Sequence, residues 1–191
     1  MRPCANLSLI GITGQKRNGK DTAANILVRE LGFTKLAFAD PLKRACAEAF
    51  GIDLAYFTVD ALKDGPCPAY PHMTNRFVLQ HVGTELFRSF IDTIWVDTTM
   101  RIAAKCGTPV VISDVRFPNE CAAIQERGGI VIRVTNPNVM LPHDAHSSET
   151  MIPSLPADYD IINDGTIGDL EFRLSSILNR HHFVLKGYHN V

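Results

Sequence analysis

Gly14, Gly19 and Lys20 stand in the spacing Gly-x-x-x-x-Gly-Lys within the stretch LSLIGITGQKRNGKDT at 7–22. Glycines at that interval let a loop curl its backbone N–H groups around an anion, and the lysine ammonium that follows reaches terminal phosphates. Lys16, Arg17 and Asn18 fill the loop with further donors. Where a serine or threonine hydroxyl would ordinarily meet a metal, this chain has Asp21, with Thr22 next. A carboxylate is a hard oxygen ligand, so Asp21 can serve magnesium directly or through water, while Thr22 keeps a hydroxyl near the inner phosphate. The plainer alternative is a glycine-rich turn that only joins two elements.

A second group of reactive side chains is Asp114-Val115-Arg116-Phe117-Pro118-Asn119-Glu120. An acidic residue closing an apolar run is the expected magnesium or water contact, and the planar fork of Arg116 suits phosphate oxygens. The alternative is a capped helix start with a surface arginine. Arg76, Gln80, Thr84 and Arg88 recur at four-residue steps, one helical face that can grip a phosphate and hydrogen-bond a base edge, or an ordinary solvated face. Asp40 and Lys43 are read either as the cap and first turn of a helix or as groups facing a ligand crevice. Trp95, the one tryptophan, is a core residue by default and a base-stacking surface on the sharper reading.

Elements must position these groups. Leu9, Ile10 and Ile12 predict a buried strand before the glycine loop, and Ala23, Ile26, Leu27 and Leu31 predict a helix after it that stops at Gly32. Strand, glycine-bounded loop and helix together form a phosphate-binding layout. FTKLAFA at 33–39 predicts a second strand, and Asp40-Pro41 a helix start with the aspartate as cap. Residues 41–105 hold no third parallel strand and predict helices broken by DGPCPAYPH at 64–72. One helix from Arg76 to Ile91 would bury Leu79, Val82, Leu86 and Phe90 as a stripe. Strands follow over 108–114, 130–134 and 159–162, with helices over 118–127 and from about 166, started by Thr166 or Asp169. Five strands alternating with helices predict an α/β fold with a five-stranded parallel sheet covered on both faces.

The 191 residues fit one domain with an inserted subdomain. A net charge of −1 argues against a nucleic-acid polymer as partner, and no stretch is long and apolar enough to span a bilayer. Five scattered cysteines without a C-x-x-C pair indicate neither a zinc knuckle nor a disulfide framework, so a reducing cytoplasm is the simplest location. The short apolar run after Arg2 is not the core of a secretory signal. The polar, proline-rich segment 136–156, with His143, Asp144, His146, Ser147, Ser148 and Glu149, suggests a lid that closes over phosphates. His143 and His146 lack a second ligand pair for zinc.

Six segments together resemble the deoxynucleoside monophosphate kinases of tailed bacteriophages, within the wider P-loop nucleoside monophosphate kinase-like family. They are GITGQKRNGKDT at 11–22, FADPLK at 38–43, RFVLQHVGTELFR at 76–88 with Trp95-Val96, VVISDVRFPNE at 110–120, HSSE at 146–149 and DIINDGT at 160–166. The resemblance implies a P-loop NTPase fold with a core at about 1–39, 106–135 and 158–191, a helical monophosphate-binding insertion at about 40–105, and a lid at about 136–157. It implies that Gly14, Lys16, Arg17, Asn18, Gly19, Lys20, Asp21, Thr22 and Asn163 bind ATP, with Asn163 beside the adenine, that Asp21 and Asp114 hold Mg2+, and that Lys20, Asp114 and Arg116 carry the chemistry. A deoxynucleoside monophosphate would meet Asp40, Lys43, Arg76, Gln80, Thr84, Arg88, Trp95 and Arg116. Where related kinases often carry a lid arginine this chain has Asn136, which shifts charge stabilisation toward Arg116, Lys16 and Arg17. A homodimer stays open, as does the host cytoplasm for a phage-encoded chain. The alternatives are another small-molecule kinase on this scaffold, of the phosphomevalonate or dephospho-coenzyme A kinase kind, and a non-kinase nucleotide-binding regulatory module.

Overall fold

The computed structural model describes residues 8–139 and 150–181. His143, Asp144, His146, Ser147, Ser148 and Glu149 lie outside them. In chain order the elements are β1 (Leu9–Thr13), α1 (Lys20–Leu31), β2 (Thr34–Leu36), α2 (Ala39–Phe50), α3 (Ala55–Thr58), α4 (Asp60–Lys63), α5 (Asn75–Gln80), a π-helix (His81–Arg88) and α6 (Ile94–Ala103). β3 (Val110–Val115), α7 (Pro118–Gln125), β4 (Ile130–Thr135), a 3-10 turn (Ile152–Ser154), β5 (Tyr159–Ile162) and α8 (Ile167–Asn179) complete them. Contacts divide the chain into two compact units, the first on either side of Phe38–Ile102 in sequence and the second Phe38–Ile102 itself.

The first unit is built on one sheet in the order β2-β3-β1-β4-β5, every pairing parallel. All five carboxyl ends therefore share one edge, and the crevice outside β1, where the order switches direction, is where ligands bind in such sheets. Ile10, Ile12, Val111, Ile130, Ile132, Val134 and Ile161 point to one face, against Ala23, Ile26 and Leu27 of α1 and Leu170, Leu174 and Leu178 of α8. On the other face Gly11 leaves room for the Ile124 side chain of α7, which an added Cβ would strike. Each fully buried Leu or Ile contributes about 1.5–3 kcal/mol, so the central strands are the most firmly held part of the unit. α1 stops where expected, at Gly32 in the left-handed region with φ 70°.

β2 is shorter than the 33–39 strand expected from sequence. Thr34, Lys35 and Leu36 pair with Val110, Val111 and Ile112, and the chain then turns into α2 at Ala39. Asp40 is consequently not the cap of that helix. Phe38 precedes it without a side-chain cap, and Asp40 sits in the first turn, where its charge favours the helix dipole and meets Lys43 Nζ at 2.9 Å.

The second unit packs Leu42 and Cys46 of α2, Phe57, Cys67, Val78 and Trp95 into its own core. The single helix expected from Arg76 to Ile91 is replaced by α5 and the π-helix. Its i→i+5 bonding departs from the α-helical period: of the expected stripe Leu79 and Val82 still pack against the core, while Leu86 is 58% and Phe90 83% exposed. Gly83 is buried within this turn. Any Cβ at that position would collide with Leu42, and its carbonyl accepts a hydrogen bond from Trp95 Nε1 at 3.0 Å. Burial pushes the Cys46 thiol up to about 11, and burial, with Glu120 and Asp158 adding to it, pushes Cys121 up to about 12, so both are structural thiols.

Candidate functional site

At the shared edge of the sheet, β1 ends in Thr13 and the chain enters the Gly14–Gly19 loop. Gly14 has φ 150° and Gly19 φ 98°, conformations that side-chain-bearing residues rarely adopt. Space requires glycine as well: a Cβ on Gly14 would collide with the Val134 carbonyl of β4, and one on Gly19 with the Asn163 amide. Arg17 holds φ 68°, the one positive-φ non-glycine among the described residues, a backbone state found where a loop is shaped for a ligand. Gly19 opens α1, so the first-turn N–H groups of that helix project toward the loop's concavity, as in anion sites at helix N-termini.

Two asparagines fasten the loop to its neighbours. Asn18 is 2% exposed and its Nδ2 donates to Val134 O at 3.4 Å. Asn163, just past β5, donates from Nδ2 to Asn18 O at 3.0 Å and from its backbone N–H to Thr135 O at 2.7 Å. Asn163, which the resemblance places beside the adenine, also braces the loop through its amide. The Lys20 ammonium curls over the loop and donates to Gln15 O at 2.7 Å, while Lys16 and Arg17 are exposed at its tip.

Asp21 lies in the first turn of α1 with its side chain 79% exposed, and its Oδ1 accepts from Lys35 Nζ of β2 at 2.7 Å. Lys35 also reaches Asn25 Oδ1 at 3.2 Å. Lys35 is a partner that spacing in the sequence could not reveal, since the contact spans 14 residues and two elements. Asp114 and Arg116, both half-buried, leave the end of β3 beside β1. Asn136, at the exit of β4, accepts from Asn138 N at 2.9 Å through Oδ1, so the position where an arginine was looked for forms a tight turn. Sequence reasoning missed Glu120, whose buried carboxylate accepts from the backbone N–H groups of Arg116 and Phe117. A glutamate at the third helical position after a proline start was its readable signal.

Gly14 to Thr22, Asp114, Arg116 and Asn163 thus stand at one edge of one sheet. The remaining candidates belong to the second unit. There Arg76 is forked onto Asp64, with Nε–Oδ1 2.5 Å and Nη2–Oδ2 3.2 Å, so an acceptor phosphate would compete with a carboxylate for it. That carboxylate raises the guanidinium's pKa above its ordinary value. Arg88 has a side chain only 9% exposed, with Nη1 3.9 Å from Asp92 Oδ1. Gln80 is half-buried and Thr84 exposed. Since the π-helix breaks the four-residue period, Arg76, Gln80, Thr84 and Arg88 do not continue as one row. Trp95 settles on the plainer of its two readings: it is 6% exposed, packed at 5.3 Å against Phe87, with its N–H bonded to Gly83, and offers no open face for a base.

Among the described residues no three His, Cys, Asp or Glu side chains gather as a metal cage, and no helix is long and apolar enough to cross a membrane. A family model described as deoxynucleotide monophosphate kinase matches residues 8–63 and 69–174. A protein of Acanthamoeba polyphaga mimivirus, assigned by name to the deoxynucleotide monophosphate kinases, is 37% identical over 190 residues, covering 90% of this chain and 96% of its own. An uncharacterised protein of Ictalurid herpesvirus 1 is 26% identical over 175 residues, covering 88% of this chain and 69% of its own. Both relatives are viral proteins. Among solved structures, shikimate kinase from Aquifex aeolicus is similar at TM-score 0.52 with 13% identity, over 90% of this chain and 97% of that one. Dephospho-CoA kinase from Campylobacter jejuni is similar at TM-score 0.50 with 15% identity, over 93% and 98%. At these identities the likeness establishes the P-loop kinase fold.

Proposed function

The chain belongs to the deoxynucleotide monophosphate kinase family, and from that membership we propose that it transfers the terminal phosphoryl group of ATP to a deoxynucleoside 5′-monophosphate. The observation that carries this reading is the loop itself. Its two glycines are required by backbone conformation and by space, it opens a helix N-terminus, and Lys20 stands over it. That arrangement suits a chain of phosphates and few other ligands.

The reaction asks little covalent chemistry of the protein. An oxygen of the acceptor monophosphate attacks the γ-phosphorus of ATP, the bond to the bridging oxygen of the departing ADP breaks, and the deoxynucleoside diphosphate remains. The attacking oxygen is already anionic, so no general base is needed, and catalysis rests on alignment and charge neutralisation. Lys20 and the loop N–H groups hold the donor phosphates; Arg116 bridges donor and acceptor; Lys16 and Arg17 add positive charge at the loop tip. Asp21 and Asp114 together with substrate oxygens make the all-oxygen donor set that magnesium takes, and the exposed carboxylate of Asp21 can exchange Lys35 for a cation. Magnesium, when bound, would neutralise charge spreading over the phosphate oxygens. Acceptor recognition is assigned to Lys43, Arg76 and Arg88 of the second unit from the sequence resemblance.

Incubating the protein with ATP, magnesium and a panel of acceptors tests the proposal. Diphosphate formation from one or more deoxynucleoside monophosphates is expected. Turnover confined to phosphomevalonate, dephospho-coenzyme A or shikimate, or acceptor-independent ATP hydrolysis, would overturn it.

A further inference from the structure

We propose that Glu120 is a positioning residue for phosphoryl transfer, acting through Arg116. The inference rests on the reading of Arg116 given above and adds the device that aims it. Glu120 is the third residue of α7 and is 1% exposed. Its Oε2 accepts from the backbone N–H of Phe117 at 3.2 Å, an ordinary way to close a helix start. The shorter bond, 2.7 Å, goes one residue further upstream, to the N–H of Arg116 itself. Capping α7 does not require that second bond.

The other end of the same peptide group is held from β1. Thr13, 0% exposed, donates from Oγ1 to Val115 O at 2.8 Å across 102 residues of sequence. Val115 C=O and Arg116 N–H belong to one planar peptide unit, so a hydroxyl and a carboxylate grip it from its two ends. The pairing of β1 with β3 slips at this point: Gly11 stands opposite Ile112 but Thr13 opposite Val115, so β3 carries one residue more than β1 across the step. Such bulges re-aim side chains beside active sites. Here the extra residue falls at Ser113–Asp114, directly before the gripped peptide. Thr13 also immediately precedes Gly14, so the entry to the phosphate-binding loop and the backbone of Arg116 are tied through a single hydroxyl. A buried carboxylate is tolerated when its oxygens are hydrogen-bonded, and once bonded it is a stiff anchor.

Misplacing an aligning group by about 1 Å can lower a rate on the order of a hundredfold. The test is steady-state kinetics with ATP and a deoxynucleoside monophosphate for E120A, E120Q and T13V, with E120A repeated in an R116M background and melting followed throughout. E120A should lower kcat by roughly ten- to a hundredfold while KM for ATP moves by less than about threefold. E120Q should regain most of that, because an amide oxygen can still accept both N–H groups. In the R116M background E120A should cause no further fall, since residues that act as a unit are not additive. An equal loss in both backgrounds, or unchanged kcat with only a lower melting point, would overturn the proposal. Should E120A not fold at assay temperature, T13V decides: a kcat-specific loss supports the grip on the peptide, and wild-type kcat contradicts it. Full activity of R116M alone would remove the role given to Arg116 and this inference together, whereas an inactive R116M with a silent E120A removes this inference only.

Discussion

Lys20→Ala is expected to lower phosphoryl transfer by roughly 10³-fold or more while the protein stays folded. The ammonium lies over the loop and reaches Gln15 O, an interaction inside the loop, and the side chain is only partly buried. Truncating such a side chain changes stability by about 0.5 kcal/mol, which moves the melting point of a chain this size by about 2 °C or less. Transfer, by contrast, loses a full positive charge placed at the mouth of a helix N-terminus, where terminal phosphate oxygens would sit. Turnover measured beside thermal melting separates the two effects. Near-wild-type turnover would mean that the loop does not hold the donor.

Arg116→Met should be nearly as damaging, with kcat reduced by about 10³-fold, the lower end of what an arginine contributes to phosphoryl transfer. Arg116 is half-buried at the end of β3, and its backbone is gripped on both sides, so the fork is presented from a fixed base. Arg116→Lys should recover only part of the loss, because an ammonium restores charge but not two parallel hydrogen bonds. Both substitutions should leave KM for ATP closer to wild type than kcat, as expected of a contact that strengthens in the transition state. A rise in KM with unchanged kcat would make Arg116 a binding group and not a transfer group.

Much of the sheet was legible because buried parallel strands are continuous apolar runs. Leu9 to Thr13, Val110 to Val115 and Ile130 to Thr135 announce themselves in this way, and glycine marks the end of α1. The start of α8 was legible as Thr166 or Asp169, and Thr166 is the cap, donating to and accepting from Asp169. The glycine loop was legible for a different reason: its geometry depends on Gly14 and Gly19, which no other residue replaces. What escaped was decided by contacts remote in sequence. Within the π-helix Gly83 lies against Leu42 and accepts from Trp95, a three-way contact with no local signature. With it went the assumed polar row from Arg76 to Arg88 and the role of Trp95 as a stacking surface. Asp40 looked like a cap because it precedes proline, yet α2 begins at Ala39, two residues before the Pro41 start that such a cap implies. The pairing of Asp21 with Lys35 and the grip of Thr13 on Val115 likewise join separate strands and helices.

The central claim is a destination for one phosphoryl group, and a label follows it directly. With ATP labelled at the γ-phosphate, magnesium, a deoxynucleoside monophosphate and the wild-type protein, label should appear in the β-phosphate of the deoxynucleoside diphosphate, in step with ADP. The same mixture with K20A should leave it in ATP. Label released as inorganic phosphate, or carried to a sugar hydroxyl, by the wild-type protein would contradict the account.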